Sequence, residues 1–335
     1  MEKLSELYLL NANFSKIGII DTFVSLIWIK RYQEVGEFEL YIPSTQADGI
    51  ETGMYLMRSD TQSIMLITDI IYSTDEEAGN YCTISGQSIE ALLGRRVVWD
   101  DTTITGKAES CIYRLVERNA ATLDTISGRR LSFMSLSTPK GLAGDGEYKL
   151  SGDNLLDAIS NICKSSGLGF RIENNLFEVY AGTDRSYTQN AAAWVVFSAK
   201  LDNLSSSKYT IDTSTDKNVC RVYADASDTA YGFVKLVVGT QTGIARREMY
   251  YKGQSNTADA ALQEEATNLL AQAVTAESFE CEVIPAYEYG VDYGLGDIVQ
   301  YENEYGIKGR ARVSEVIECR DETGYKCIPT LVNIE

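Results

Sequence analysis

Histidine is absent from this chain of 335 residues. Its absence excludes Ser-His-Asp and Cys-His catalysis, HExxH zinc sites and the imidazole general base. Long apolar runs are also missing, because the longest is AAAWVVF at 191–197. A helix needs about 20 apolar residues to span a bilayer, so we predict no membrane span. The N-terminus mixes acidic with basic residues and lacks a small-residue cleavage site, so we expect no secretion signal.

Paired cysteine motifs are missing as well, since none of the seven cysteines stands in a CxxC spacing. An odd, scattered set is typical of free thiols in a reducing cytoplasm and provides neither a zinc ribbon nor a redox pair. We therefore predict no metal-binding residue, no cofactor and no cofactor-binding residue. Cys319 and Cys327 are spaced to face each other across a hairpin, so one optional disulfide between them is conceivable.

Positive charge is scarce, because 30 Lys and Arg residues stand against 48 Asp and Glu residues, a formal charge of −18. Such a chain repels nucleic acid, so sequence-specific binding is not expected. The basic pairs at 95–96, 129–130 and 246–247 are isolated, and we interpret them as salt-bridging or subunit-contact positions. The hydrophobic content of 44% is ordinary for a globular protein and excludes disorder as the main state.

The sequence contains many short β-branched or aromatic segments punctuated by Gly or Asp, which is typical of strands. They occupy 25–29, 37–42, 54–58, 63–73 and 80–86, and they resume at 194–199, 219–225, 232–239 and 245–253. Two further strands around Phe170 and Phe177 are joined by a turn at Asn174-Asn175. The pattern predicts a mainly β protein with α/β insertions.

Helical spacing marks four segments. Ser88 is predicted to cap a short helix at 89–96. In 107–121 one face is apolar, and it carries Cys111, Ile112, Leu115 and Val116. The next helix begins at Asp153 and ends at Gly167. The last, at about 258–273, has an apolar stripe for burial. The members of the stripe are Ala260, Ala261, Leu262, Ala266, Leu269 and Leu270.

An internal repeat relates the two ends of the chain. The segment from Ile67, ITDIIYSTDEEAGNYCTI, aligns with VSEVIECRDETGYKCI from Val313, with one gap before Gly79. Each copy follows a strand that begins with glycine, at Gly53 and at Gly296. The alignment matches Asp69 with Glu315, Asp75 with Asp321, Gly79 with Gly324 and Cys82 with Cys327. We predict two related β modules; chance likeness between two amphipathic hairpins is the alternative.

With histidine absent, paired carboxylates are the remaining candidates for acid/base catalysis. They are Asp100-Asp101, Asp75-Glu76-Glu77, Glu264-Glu265 and Asp321-Glu322. None stands in a specific motif. The pair at 264–265 is predicted on the solvated side of a helix, and the runs at 75–77 and 321–322 at hairpin tips. We assign no catalytic residue.

Two glycine-rich segments lack the features of phosphate sites. The segment GLAGDGEYKL at 141–150 has no Gly-Lys-Ser/Thr ending and is predicted to be a flexible loop. The segment 166–169 precedes a strand instead of opening a helix, so a dinucleotide site is not expected. The 21 tyrosines, against nine phenylalanines, suit strands and half-wet interfaces. Their spacing leaves β packing, assembly and sugar binding open.

Five segments spread over nearly the whole chain carry a family resemblance. They are SLIWIKRYQEVGEFELYIP, ETGMYLMRSDTQSIMLITDI, YCTISGQSIEALLGRRVV, ARREMYY and YGLGDIVQYENEYGIKGRARVSEV. In this order they resemble the siphophage tail proteins of the ReqiPepy Gp-thirty-seven-like family. The resemblance implies two β-barrel tube modules plus a small α/β domain, in a fold like that of a phage tail hub. The corresponding boundaries are 1–101 for the first module, 102–190 for the inserted α/β domain, and 191–335 for the second module with its inserted helix.

The resemblance also implies a function as a baseplate hub in the virion tail, made and assembled in the cytoplasm of the bacterial host. Such hubs are homotrimers whose six modules form a pseudo-sixfold ring. The ring joins the distal tail protein to a tip or fibre protein and leaves a channel for DNA or the tape-measure protein. We expect no enzymatic activity. The alternatives are a peptidoglycan hydrolase that uses paired carboxylates and a tip protein that binds host glycans through exposed tyrosines.

Overall fold

The computed structural model describes residues 4, 6–75, 79–121, 128–224, 233–253, 259–273, 276–283 and 287–334. Strands dominate these residues, so the mainly β prediction is confirmed. The chain forms two compact units, which are Met1–Lys208 with Phe279–Glu335, and Tyr209–Ser278.

The strands are β1 (Leu7–Leu10), β2 (Lys16–Ile20), β3 (Ser25–Arg31), β4 (Glu37–Pro43), β5 (Tyr55–Arg58), β6 (Ile64–Asp75), β7 (Gly79–Ser88), β8 (Thr102–Lys107), β9 (Ser135–Leu136), β10 (Asp145–Leu150), β11 (Gly169–Glu173), β12 (Leu176–Tyr180), β13 (Val196–Ser198), β14 (Leu204–Asp212), β15 (Val219–Ala224), β16 (Phe233–Val238), β17 (Glu248–Gly253), β18 (Ala276–Val283), β19 (Ile298–Glu302), β20 (Lys308–Asp321) and β21 (Gly324–Asn333). The α-helices are α1 (Ala108–Ala120), α2 (Leu155–Ser166) and α3 (Asp259–Gln272). Short 3-10 helices cover Ser44–Gln46, Ile89–Arg95, Ala199–Leu201 and Gly243–Ala245.

One large sheet organises the first unit. Its strands follow the order β21-β20-β3-β4-β7-β6-β5-β1-β2, and β19 pairs with β20 and with β13. Alternation of apolar and polar residues along β3 and β4 buries one face, where Leu26, Trp28, Phe38 and Leu40 are at most 3% exposed. The pairings of the described residues trace no closed barrel. The barrel shape of each module, and the three domain boundaries, therefore stay predictions.

An α/β part packs beside this sheet, within the first unit. The helices α1 and α2 contact each other and bury their apolar faces, and the predicted face of α1 is confirmed because all four of its residues are buried. β11 and β12 form the predicted hairpin, with Asn174 and Asn175 both at positive φ. Positive φ at two consecutive positions is the requirement of a type I′ turn, which Asn tolerates.

Two details of capping differ from the sequence predictions. The α2 N-cap is Asn154, not Asp153, and its Oδ1 accepts a hydrogen bond from Leu156 N at 3.0 Å. Ser88 makes no side-chain cap to the following 3-10 helix. Its Oγ instead accepts from Gly36 N at 2.9 Å, because that amide faces it across the sheet. The C-terminal stop of α2 at Gly167 is confirmed by its left-handed φ of 68°.

The second unit contains a sheet of order β16-β15-β17, in which β15 is antiparallel to β16 and parallel to β17. The helix α3 covers it. Of the predicted stripe on α3, Leu262 and Ala266 are fully buried and pack against Cys220 and Val222, whereas Ala260 is exposed. The alanine therefore lies just beyond the face that contacts the sheet.

In the described part of the chain, no helix is both long enough and apolar enough to cross a membrane.

Candidate functional site: the junction between the two repeats

The predicted internal repeat is visible in the strand pairing. β6 and β7 form one hairpin, and β20 and β21 form the other. Both contain a register shift at the aligned position, between Ile67 and Asp69 in the first and between Val313 and Glu315 in the second. A β-bulge is a specific local feature, and chance likeness between hairpins does not account for its placement at aligned residues. The two segments are structural repeats.

The strand before each hairpin begins in the same way. Gly53 and Gly296 both have a φ of 87°, in the region that favours glycine. Gly53 N donates to Ile67 O at 2.9 Å, and Gly296 N donates to Val313 O at 2.8 Å. Ile67 and Val313 are the first residues of the aligned segments. The repeat therefore extends from the hairpins to β5 and β19.

The two repeats are joined within the chain by β3 and β20. Residues 308–312 of β20 pair with β19, and residues 315–320 pair antiparallel with β3. Arg31 on β3 donates from Nε to Glu315 Oε2 on β20 at 2.7 Å and from Nη2 to Glu37 Oε2 on β4 at 3.1 Å. One sheet therefore runs from the second repeat into the first, and an arginine links three of its strands.

A buried ion-pair cluster lies under this junction. Arg58, at the end of β5, is 1% exposed, and Glu318 on β20 is 2% exposed. Arg58 donates to the two carboxylate oxygens of Glu318 at 2.5 and 3.1 Å, and to those of Asp60 at 2.8 and 2.7 Å. Tyr325 donates its hydroxyl to Glu318 Oε1 at 2.8 Å. Because Arg58 belongs to the first repeat and Glu318 to the second, the cluster connects the repeats through side chains.

Burial and charge act against each other around the cluster. Burial by itself raises the pKa of Asp60, but the hydrogen bonds and charge of Arg58 outweigh it, and the pKa is lowered. Burial lowers the pKa of Lys30, and the charge of Glu318 opposes that shift. Burial raises the pKa of Glu90, although its carboxylate accepts from Ile172 N at 2.6 Å. Desolvation destabilises the ionised form of Glu90, and no salt bridge to a described residue offsets this cost.

A cavity of about 500 Å³ opens beside the junction, entirely within the first unit. Its wall includes β3, the end of β5, the β11–β12 hairpin and residues 289–297. Two arginines on this wall form ion pairs: Arg185 Nε donates to Asp297 Oδ2 at 2.7 Å, and Arg171 Nη2 donates to Glu178 Oε2 at 2.8 Å. Such pairs hold the surrounding segments in place.

β6 has a free edge where β20 is covered. Residues 69–74 pair with β7 on one side and have no partner on the other among the described residues. The equivalent residues of β20, 315–320, pair with β3 on that side. Ile71 and Tyr72 are consequently 59% and 62% exposed, whereas Glu318, the equivalent of Tyr72, is buried.

Asp100, Asp101 and Asp321 are exposed and are not among the residues that line the cavity. Asp100 and Asp101 are exposed, and Asp101 accepts from Ser151 Oγ. The pair at 264–265 lies on the exposed side of α3, as predicted. Asp321 is at the predicted hairpin tip, where it accepts from Thr323 N at 2.7 Å. Residues 76–77 lie outside the described residues. Across the described ranges, no group of three or more Cys, Asp or Glu side chains is arranged to hold a metal ion.

Two other sequence features are corrected or refined. The optional Cys319–Cys327 disulfide is wrong, because the register places Lys326 opposite Cys319 and Glu318 opposite Cys327, and neither cysteine forms a disulfide. The loop predicted at 141–150 is partly a strand, since β10 pairs along its whole length with β8.

The basic pairs form salt bridges or contact the backbone. Arg246 and Arg247 pair with Glu248 and Asp216 at 2.5 and 2.8 Å. Arg96 Nε donates to a backbone carbonyl, that of Arg129, at 2.6 Å. The salt-bridging interpretation is confirmed for the pair at 246–247.

The sequence reading did not identify Arg58 and Glu318. Arg58 ends the apolar run Tyr55–Met57, and Glu318 stands between Ile317 and Cys319. A charged residue within an apolar strand is the available signal for a buried ion pair. Their 260-residue separation in the chain hides the partnership until the repeats are brought together.

Comparisons with known proteins agree with this architecture. No curated protein matches the chain. Among solved structures, a tail protein from Neisseria meningitidis MC58 matches with a TM-score of 0.60, at 14% identity, over 98% of this chain and 96% of the other. Prophage tail protein gp18 from Listeria monocytogenes EGD-e matches with a TM-score of 0.57, at 12% identity, over 98% and 95%.

A third solved structure, the 43 kDa tail protein of prophage MuSo2 from Shewanella oneidensis, matches with a TM-score of 0.59, at 14% identity, over 98% of each chain. At these identities the likeness establishes a shared fold. The sequence profile described as siphovirus ReqiPepy6 Gp37-like protein matches residues 6–331. The chain therefore belongs to the siphovirus ReqiPepy6 Gp37-like protein family.

Proposed function

We propose that the protein is the baseplate hub of a phage or prophage tail, a homotrimer whose six β modules form a pseudo-sixfold ring. The ring connects the distal tail protein above to a tip or fibre protein below. Its centre provides the channel for DNA and the tape-measure protein. The chain is synthesised and assembled in the bacterial cytoplasm and resides in the virion tail.

The observation that carries this proposal is the edge-to-edge joining of two repeats by β3 and β20. Two similar modules side by side in one chain form one third of a six-module ring. Three copies then place six similar modules around an axis while the chains themselves obey threefold symmetry. This arrangement adapts a sixfold tube to a threefold tip.

The charge of the chain suits a conduit for DNA. Three copies carry a formal charge of −54, three times the −18 of one chain. Acidic side chains that face the channel repel the DNA backbone, so the passing strand does not adhere to the wall. The role is mechanical, and we propose no enzymatic activity, since Asp100, Asp101 and Asp321 are exposed and do not line the cavity.

The native mass of the purified chain across concentration, combined with negative-stain images of the largest species, tests the proposal. We expect a trimer near 111 kDa, three times 37.1 kDa, with a central hole and a sixfold outline. A matched measurement is zymography on bacterial cell wall. A cleared band that one carboxylate substitution abolishes contradicts the mechanical role and supports a hydrolase.

A further inference from the structure

We propose that the free edge of β6, residues 69–74, pairs antiparallel with β14 of a neighbouring copy of this chain. The inference rests on the proposed ring and specifies how it closes. Each copy then contributes one junction within its own chain, β3 with β20, and one junction between chains, β14 with β6.

The exposure of β6 is the first argument. An edge strand with unpaired backbone groups and exposed apolar side chains invites pairing with another chain, and proteins normally cover or disrupt such edges. Residues 69–74 contain no proline or lysine, and they expose Ile71 and Tyr72. The repeat shows what covers the equivalent edge, because β3 lies along residues 315–320.

The identity of the partner strand follows from the order of the repeats. The first repeat runs β3-β4-β7-β6 in the sheet, and the second runs β14-β18-β21-β20. β14 therefore holds the position of β3. It is also the last strand at its end of the sheet, so its outer edge faces away from β18. A second copy can present this edge to β6, just as β3 meets β20 within one chain.

The hydrogen-bond pattern indicates which amides of β6 point outward. Ile67 N donates to Met54 O at 2.9 Å, so Ile67 faces the side of β5. In the other repeat, Tyr32 N donates to Ser314 O at 2.9 Å, so the backbone carbonyl of Ser314 faces the side of β3 at the bulge. Because backbone groups alternate along a strand, the outward amides beyond the β6 bulge are those of residues 70, 72 and 74.

The two junctions differ in chemistry, which keeps them distinct. Counting from Gly53 and Gly296, the equivalent of Arg58 is Tyr301. Counting from Ile67 and Val313, the equivalent of Glu318 is Tyr72. Tyr301 stacks on Phe279 with ring centroids 5.0 Å apart. The junction within the chain is thus an ion pair, whereas the junction between chains has aromatic residues at both positions. A module that docked at the wrong junction would leave a buried charge unpaired. This penalty makes the two kinds of junction alternate around the ring.

A photocrosslinking residue in place of Tyr72 tests the pairing directly. Benzoylphenylalanine keeps the backbone amide and the aromatic ring. Copies labelled with heavy nitrogen are mixed with unlabelled copies, irradiated as trimers and digested. We expect cross-links between unlike copies that map to residues 204–212. Trimers whose cross-links map elsewhere overturn the β6–β14 pairing but leave the hub standing, whereas a chain that is monomeric at every concentration overturns both.

Substitution of the same residue tests the role of the backbone. Tyr72→Pro removes an outward amide but no hydrogen bond to β7, so the monomer should fold with unchanged thermal stability. Tyr72→Thr is the matched control, since it removes the ring but keeps the amide. We expect Tyr72→Pro to raise the concentration for half assembly by about tenfold or more, and Tyr72→Thr by less. Unchanged assembly of the folded proline variant contradicts the proposal.

Discussion

Substitution of Arg58 by methionine is the most direct test of how the two repeats are held together. Arg58 donates four hydrogen bonds to Asp60 and Glu318. The side chains of Arg58 and Glu318 are 1% and 3% exposed, and that of Asp60 is 12% exposed. Methionine preserves much of the apolar stem but removes the guanidinium. Glu318, which is 2% exposed, then loses both of its hydrogen bonds from the guanidinium.

The expected cost follows from this burial. Removal of one partner from a buried pair costs about 3–5 kcal/mol, because the other charge stays desolvated. That is a large fraction of the about 5–15 kcal/mol that stabilises a typical domain. With a urea dependence of about 2 kcal/mol per molar, the midpoint of unfolding should fall by about 2 M.

Tryptophan fluorescence during urea unfolding measures this effect. Trp28 is fully buried 5.8 Å from the Arg58 guanidinium, whereas Trp99 and Trp194 are 59% and 49% exposed, so the signal change reports mainly on the junction. Lys164→Met is the matched control, since Lys164 forms a solvent-exposed pair with Glu34 at 2.6 Å, worth at most about 1 kcal/mol. A loss below about 1 kcal/mol for Arg58→Met at pH 7 refutes the role of the cluster.

Three further substitutions probe the surrounding fold, each by urea unfolding. Glu90→Gln should stabilise the protein at pH 7, because burial raises the pKa of Glu90 and its ionisation therefore costs free energy. This gain in stability should vanish below about pH 4, where the side chain is protonated in the unfolded chain as well. A gain that is the same at every pH contradicts this reasoning. Gly86→Ala should destabilise strongly, since its Cβ would lie 1.9 Å from Leu66 O, whereas Gly144→Ala meets nothing within 4 Å and should be neutral; equal effects argue against the close approach. Asn154→Ala should lower the free energy of unfolding by about 1 kcal/mol, because the N-cap of α2 is lost. Asn154→Asp should keep the cap and retain most of the stability.

Local patterns in the sequence predicted most of the elements. Apolar spacing placed α1 correctly, and Gly167 marked the end of α2, because helix periodicity and a left-handed stop are properties of neighbouring residues. Capping was less predictable. Asp153 and Asn154 are both good caps, and the choice between them depends on how the chain enters the helix from the preceding sheet.

The alignment of the repeats was the strongest long-range prediction. It was readable because duplication leaves matched residues in the sequence, and the matched bulges after Ile67 and Val313 confirm it. The prediction of a disulfide between Cys319 and Cys327 was wrong because it also depended on strand register. A hairpin register that is offset by one residue turns opposing side chains to opposite faces, and composition does not reveal that offset.

The residues of this chain alone determined its mainly β character, its duplicated modules, its lack of imidazole chemistry and its family. These properties follow from composition and from short-range patterns. Only the tertiary structure decided that β3 joins β20, that Arg58 meets Glu318 across 260 residues, and that the β6 edge is left open. Pairing between distant strands depends on which edges the folded chain brings together, and burial turns that contact into a strong electrostatic interaction.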